Sequence, residues 1–122
     1  MARGAPASRL PKGVRQDTRK HTRHVLRPDA AMVRAYLEAP GDEAWGRVVK
    51  AYRKLLERRF AADRAPFDAI ATLARAEDVW LGCSCPTQRN PSVRRCHTWL
   101  ALEFFRDHYP GLEVRFPPEG AR

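Results

Sequence analysis

The amino-acid sequence predicts an α/β fold: one small domain with a short, mostly parallel sheet flanked by helices and a C-terminal βαβ unit. Three observations predict it. Residues 42–62 carry an apolar stripe (Trp45, Val48, Val49, Tyr52, Leu55, Leu56, Phe60) that keeps the helical period for about four turns. Val79-Trp80-Leu81-Gly82-Cys83 is a short run, apolar on both alternating faces, as in a buried parallel strand. A second amphipathic helix pattern and a second strand-like run, Leu112-Glu113-Val114-Arg115-Phe116, follow within about 40 residues, the length of one βαβ unit. Its strands are expected to be parallel and its crossover right-handed.

The elements follow in chain order. Residues 1–22 mix Gly4, Pro6, Pro11 and Gly13 with charges and offer little to bury, so a disordered or extended arm is expected. His24-Val25-Leu26 is a small apolar island before Pro28 and reads as an edge strand. Asp29 is placed to cap a helix running to about Ala39, with Met32, Val33, Tyr36 and Leu37 on one face. Pro40-Gly41 stops it, and Asp42 opens the long helix to about Ala62. Its other face carries Arg47, Lys50, Arg53, Lys54, Glu57 and Arg58, a solvated surface or an extension of a nucleic-acid patch.

Pro66 suits a first helical turn, and Phe67, Ile70, Leu73 and Ala74 make a shorter helix to about Ala76. After the strand at 79–83 comes a helix over about Ser92 to His108. Asn90 or Ser92 would cap it, and Val93, His97, Leu100, Ala101, Phe104 and Phe105 would face inward. Pro110-Gly111 turns the chain into the last strand. Trp45, Trp80 and Trp99 read as packing residues, with base stacking a further use for Trp99. The division expected is a flexible basic arm over 1–22, a domain with a Cys/His site over 23–118, and a tail over 119–122.

Length and composition bound the function. A chain of 122 residues supports one domain with a modest core, and 43% hydrophobic content is that of an ordinary globular protein. No apolar run approaches the roughly 20 residues a membrane helix needs. The first residues lack the apolar segment of a secretory signal. They are arginine-rich, as transit peptides are, but hold one serine, Ser8, and no clear apolar face. Three cysteines cannot all pair within one chain, and small secreted scaffolds usually carry more. A cytoplasmic location without a membrane partner is expected; oligomeric state stays open.

The formal charge is +9. Residues 1–28 hold eight Lys/Arg against Asp17 alone, a net of +7, which leaves +2 for the rest. Such an arm suits nucleic acid, acidic partners or anionic lipid, or serves only as a solvated tail.

The candidate site lies at Val79–Phe105. All three cysteines, Cys83, Cys85 and Cys96, fall there, with Arg89, Arg94 and Arg95 and no acid between Asp78 and Glu103. In open α/β sheets ligands bind beyond the carboxyl ends of the strands, and a helix N-terminus attracts anions. Arg89, Arg94 and Arg95, with Ser92 beside them, would bind the phosphate of a nucleotide or nucleic acid, unless they are ordinary exposed arginines.

Two other chemistries use the same residues. Cys83 or Cys96, near arginines and a helix N-terminus, could serve as a thiolate nucleophile with His97 as base; buried inert thiols are the plain alternative. Cys83, Cys85, Cys96 and His97 are also zinc-type ligands. Their spacing is unusual for zinc, since ten residues separate Cys85 from an adjacent Cys-His pair. Neighbours on a helix also point about 100° apart. No cofactor is expected, with Zn the one candidate. A Cys83–Cys96 or Cys85–Cys96 disulfide would be a redox state rather than the resting one. His97, on the apolar stripe, reads equally as a satisfied core histidine. His108 reads as a surface residue near a helix end.

Tyr52-Arg53-x-x-Leu56, a short helix, Val79-Trp80-Leu81-Gly82-Cys83-Ser84-Cys85-Pro86 and then Cys96-His97 resemble the domain of unknown function 4326 family. A looser likeness exists to the domain of unknown function 488 family, which also places Cys-His after a strand. The likeness covers about residues 45–105. It implies a compact α/β fold with its site at Cys83, Cys85, Cys96 and His97, and it implies no activity. The N-terminal glycine-containing strands of those families are not evident, and the basic arm stands in their place.

Overall fold

The computed structural model describes residues 1–3, 15–82 and 95–116. Among these the order is β1 (Ala2–Arg3), β2 (Arg15–Asp17), α1 (Ala30–Glu38), α2 (Asp42–Ala62), α3 (Ala65–Ala76), β3 (Trp80–Gly82) and α4 (His97–His108). The fold is α/β, as the sequence predicts: four helices and a three-stranded sheet ordered β1-β3-β2, with both pairings parallel.

The apolar strand takes the centre. Leu81 and Val79 are fully buried, because β3 is paired on both edges and covered by helices, the position that selects for continuous apolar sequence. The register sets Ala2 and Arg15 beside Trp80, Arg3 and Gln16 beside Leu81, and Asp17 beside Gly82. Side chains alternate across a strand, so Arg3, Gln16 and Leu81 share one face while Arg15, Trp80 and Gly82 share the other.

The flexible arm expected over 1–22 is corrected here. Its described parts contain β1 and β2, two of the three strands. Met1 is only 4% exposed and belongs to the core, and Thr18 is fully buried. These strands have two and three residues, too few for any periodicity, and Arg15-Gln16-Asp17 has no apolar residue. Pairing with β3 holds them in place. Residues 4–14 of the expected arm, and the tail over 119–122, lie outside the described residues.

The edge strand expected at His24-Val25-Leu26 is a turn, closed by Arg27 N–H donating to the His24 carbonyl at 3.0 Å. Leu26 is fully buried. The carbonyls around it find partners on α2 instead of in a sheet. Tyr52 Oη donates to Leu26 O at 2.6 Å, and Arg59 Nη1 donates to Val25 O and Arg27 O, both at 2.7 Å. Buried backbone groups must be satisfied somewhere, and two side chains here replace a strand partner.

The helices match their sequence signals closely. Asp29 caps α1, its carboxylate accepting from Ala31 N–H at 2.8 Å, and α2 runs over the predicted 42–62. Helix α1 packs on α2, α2 on α4, and α4 on β1. Tyr52, Leu56, Phe67, Leu102 and Phe105 are fully buried, each worth about 1.5–3 kcal/mol of hydrophobic stabilisation. Phe60 stands edge-on to Phe67 at 5.3 Å and to Phe104 at 5.5 Å, joining α2, α3 and α4. Trp45, Trp80 and Trp99 are half-buried; Trp45 packs against Tyr36 and Trp99 against Phe116.

Helix α4 is described from His97, later than the expected start at Ser92, and Cys96 occupies its N-cap. Asn90, Ser92 and Val93 lie outside the described residues. Gly111, with φ of 86°, turns the chain after α4 in a backbone region that suits glycine. Segment 112–116 forms no regular strand. It still lies beside Met1, whose N–H donates to Glu113 O at 3.0 Å and whose carbonyl accepts from Arg115 N–H at 2.8 Å. One residue bonding to both neighbours of Val114 is the pattern of a parallel pair. The expected βαβ return is thus present in topology, with β1 between its two ends.

Candidate functional site

The carboxyl ends of the three strands and the first turn of α4 meet at one place, and five polar side chains, from β1, the end of β2 and the start of α4, converge there. Arg3 ends the described part of β1. Its Nε–H donates to Thr98 Oγ1 at 3.0 Å, which sets a guanidinium beside the first turn of α4. Thr98 is fully buried, and its hydroxyl donates to Cys96 Sγ at 3.2 Å. Cys96 Sγ lies 3.9 Å from His97 Nδ1. The other ring nitrogen, His97 Nε2, lies 2.8 Å from Thr18 Oγ1. Thr18 follows β2, and its Oγ1 donates to the Gly82 carbonyl at 2.9 Å. Tyr52 supports the set from α2, its ring edge-on to His97 at 5.8 Å.

Sequence and fold cooperate locally to build this cluster. Cys96 has φ −126° and ψ 145°, an extended N-cap conformation. The argument that Cys96 and His97 must point about 100° apart assumes both are helical, and it fails because Cys96 is not. Zn–S and Zn–N bonds are about 2.3 and 2.0–2.1 Å, so one ion could touch both atoms. Cys83 and Cys85, the other two zinc candidates, lie outside the described residues. Among the described residues no group of three or more His, Cys, Asp or Glu gathers as a metal set.

Of the anion-binding residues the sequence suggests, Arg89, Ser92 and Arg94 also lie outside the described residues. Arg95 is described, and it pairs with Asp42 at the start of α2. That ion pair and a hydrogen bond with Tyr36 raise the Arg95 guanidinium above its ordinary range, the Asp42 bond being the larger cause. Arg95 thereby ties the approach to α4 onto α1 and α2.

Sequence reasoning missed Arg3, Thr18, Gly82, Tyr52 and Thr98 as site residues. Arg3 and Thr18 sit in the stretch read as an arm, and no signal for their strands exists in the sequence. Tyr52 was visible as a helix position and as part of the Tyr52-Arg53-x-x-Leu56 motif, and Thr98 only as a helix position. A Cβ at Gly82 would stand 2.8 Å from the Arg15 guanidinium carbon, the far end of a side chain that can move aside. Arg15 Nε is buried with no hydrogen-bond partner among the described residues.

Two further groups shape the field. Arg19 grips Asp17 through Nε at 2.9 Å and Nη2 at 2.8 Å, and this bidentate bond holds the Asp17 carboxyl down at about 2. The carboxylate at the end of β2 is therefore ionised and already paired. His24 Nε2 meets Gln16 Oε1 at 2.6 Å, and its Nδ1 accepts from Leu26 N–H at 3.1 Å. Burial, the largest cause, lowers the His24 pKa, and the neighbouring His97 and Arg27 also lower it.

These features define an α/β protein with a Cys-His-Thr-Arg cluster at the carboxyl end of a parallel sheet. The family described as Active DUF488-N3 subclade (DUF488-N3a) matches residues 2–108, and the chain belongs to it. That match supports the likeness to the domain of unknown function 488 and not the one to 4326. No curated protein and no solved structure matches the chain. No described helix is long and apolar enough to cross a membrane.

Proposed function

We propose that this protein binds or processes a phosphate-bearing ligand, a nucleotide or nucleic acid, at the carboxyl end of its sheet. The observation that carries this reading is the Arg3–Thr98 hydrogen bond at 3.0 Å. It joins a guanidinium to the N-terminal turn of a 12-residue helix, and both favour an anion. Lys20 and Arg23 are exposed on the segment after β2 and would extend the attraction along a nucleic-acid backbone. Arg89 and Arg94 remain candidates for the same role, and the reading does not depend on them.

Thermal unfolding tests it. Phosphate, sulfate and a nucleotide triphosphate should each raise the melting temperature of the wild-type chain, and Arg3→Gln should remove the rise. No shift with any phosphate-bearing ligand would overturn the proposal.

A thiol-dependent activity is the second reading, favoured by the 3.9 Å approach of Cys96 Sγ to His97 Nδ1. It calls for one cysteine that is alkylated much faster than free thiol at neutral pH, with Cys96 as the residue modified. Uniformly slow alkylation would count against it. A zinc-stabilised interaction module using Cys83, Cys85, Cys96 and His97 is the third, and an unchanged melting temperature in chelator would dispose of it.

A further inference from the structure

The directions of the hydrogen bonds at the sheet end are forced by the number of protons available. A threonine hydroxyl has one proton and can accept as well as donate. Thr18 Oγ1 stands 2.9 Å from the Gly82 carbonyl oxygen, which can only accept, so the hydroxyl proton must lie on that line. Without it two oxygens would face each other at hydrogen-bond distance with nothing between. Thr18 Oγ1 can then only accept from His97 Nε2, 2.8 Å away. His97 Nε2 therefore carries a proton. In the neutral ring this makes Nδ1 the acceptor, and Nδ1 is the nitrogen that faces Cys96 Sγ.

The same counting runs from the other end. Arg3 Nε–H can only donate, so Thr98 Oγ1 accepts from it and spends its own proton on Cys96 Sγ. Cys96 Sγ accepts that proton and lies 3.9 Å from His97 Nδ1. A single directed chain results: Arg3 to Thr98, Thr98 to Cys96, Cys96 to His97, His97 to Thr18, and Thr18 to the Gly82 carbonyl.

We infer that Thr18 is a positioning residue that holds His97 as its Nε2–H tautomer, with Nδ1 presented to Cys96 as a hydrogen-bond acceptor. Its use rests on the sheet end being the working site; the tautomer itself follows from geometry alone. The second ring nitrogen of a working histidine is commonly oriented by such a partner. Here the partner is a hydroxyl rather than a carboxylate, so the orienting group adds no negative charge to a site read as anion-binding. The Tyr52 ring packs edge-on against the same imidazole, with centroids 5.8 Å apart.

The test is long-range proton–nitrogen NMR of the nitrogen-15-labelled full chain at pH 8, with His97 assigned by comparison with His97→Gln. The wild type should show a protonated Nε2 and an unprotonated, acceptor-type Nδ1. Thr18→Val, which keeps the shape and the Thr18 N–H bond to Gly82 O, should give a mixture of tautomers. Thr18→Ser should restore the wild-type signature. A substantial Nδ1–H population in the wild type overturns the inference. So does a Thr18→Val spectrum identical to wild type. If Thr18→Val does not fold, the wild-type and Thr18→Ser spectra decide. The phosphate-induced thermal shift, measured on the same samples, reads the proposed function separately. A wild-type shift with the wrong tautomer sinks the inference alone, and the right tautomer without a shift sinks the ligand reading alone.

Discussion

Tyr52 Oη donates to the Leu26 carbonyl at 2.6 Å, and both residues are fully buried. The bond pins a turn of the N-terminal region to the middle of α2, where the Tyr52 ring meets His97 edge-on. Tyr52→Phe keeps the ring and strands the carbonyl. Leaving a buried acceptor unsatisfied costs about 1–3 kcal/mol, so denaturant unfolding should show a loss of that size. The His97 imidazole signals should shift in the same variant.

Removing residues 1–22 separates an arm from an integral part of the fold. An arm would leave the melting transition unchanged. This stretch supplies β1, β2, buried Met1 and buried Thr18, and without it β3 would lose both partners. The truncated chain should therefore lose its cooperative thermal transition by circular dichroism. A wild-type transition in the truncated chain would contradict the sheet described above.

His24 gives a pH dependence with a definite sign. Its folded pKa is lowered from the ordinary 6.5, first by burial. The unfolded state then binds the proton more readily, so stability rises with pH through this window. The contribution is complete above about pH 6.5 and is lost as pH falls below it, when Nδ1 must give up the Leu26 N–H bond. His24→Gln should flatten the slope of unfolding free energy between pH 5 and 7, measured in urea.

Tyr109 behaves oppositely at high pH. Its Oη donates to Asp68 Oδ1 at 2.6 Å. Burial first, and that bond second, push the phenol up to about 12. A raised folded value means stability is intact below the ordinary 10 and is lost as pH climbs toward 12. Ultraviolet titration should show a tyrosine step near 12, and Tyr109→Phe should remove that step.

Core truncation should follow the burial pattern. Phe105 is fully buried and lies against Phe67 at 6.2 Å and stacks on Tyr109 at 5.4 Å. Phe105→Ala should cost about 3–5 kcal/mol, read by denaturant midpoint at unchanged slope.

The sequence by itself determined the helices and the central strand. Asp29, Asp42 and Pro66 mark helix starts, and the stripes through Tyr52, Leu56, Phe67 and Phe105 carry enough period and buried area to specify both element and face. Val79–Gly82 is apolar because its neighbours bury both faces, so its role was legible too. Cys96 and His97 could be marked as candidates by chemistry and by their place after a strand. What only the tertiary structure decided is the rest of the sheet and the orientation of the site. Arg3, Arg15, Gln16 and Asp17 have no strand-forming pattern; they are strands because β3 offers two unsatisfied backbone edges and the chain brings them there. Thr18 reaches His97, 79 positions away, and Arg3 reaches Thr98, 95 positions away. Contacts of that range leave no local periodicity behind, because a threonine or an arginine in a polar stretch is chosen for what it touches across the fold and not for the element it sits in.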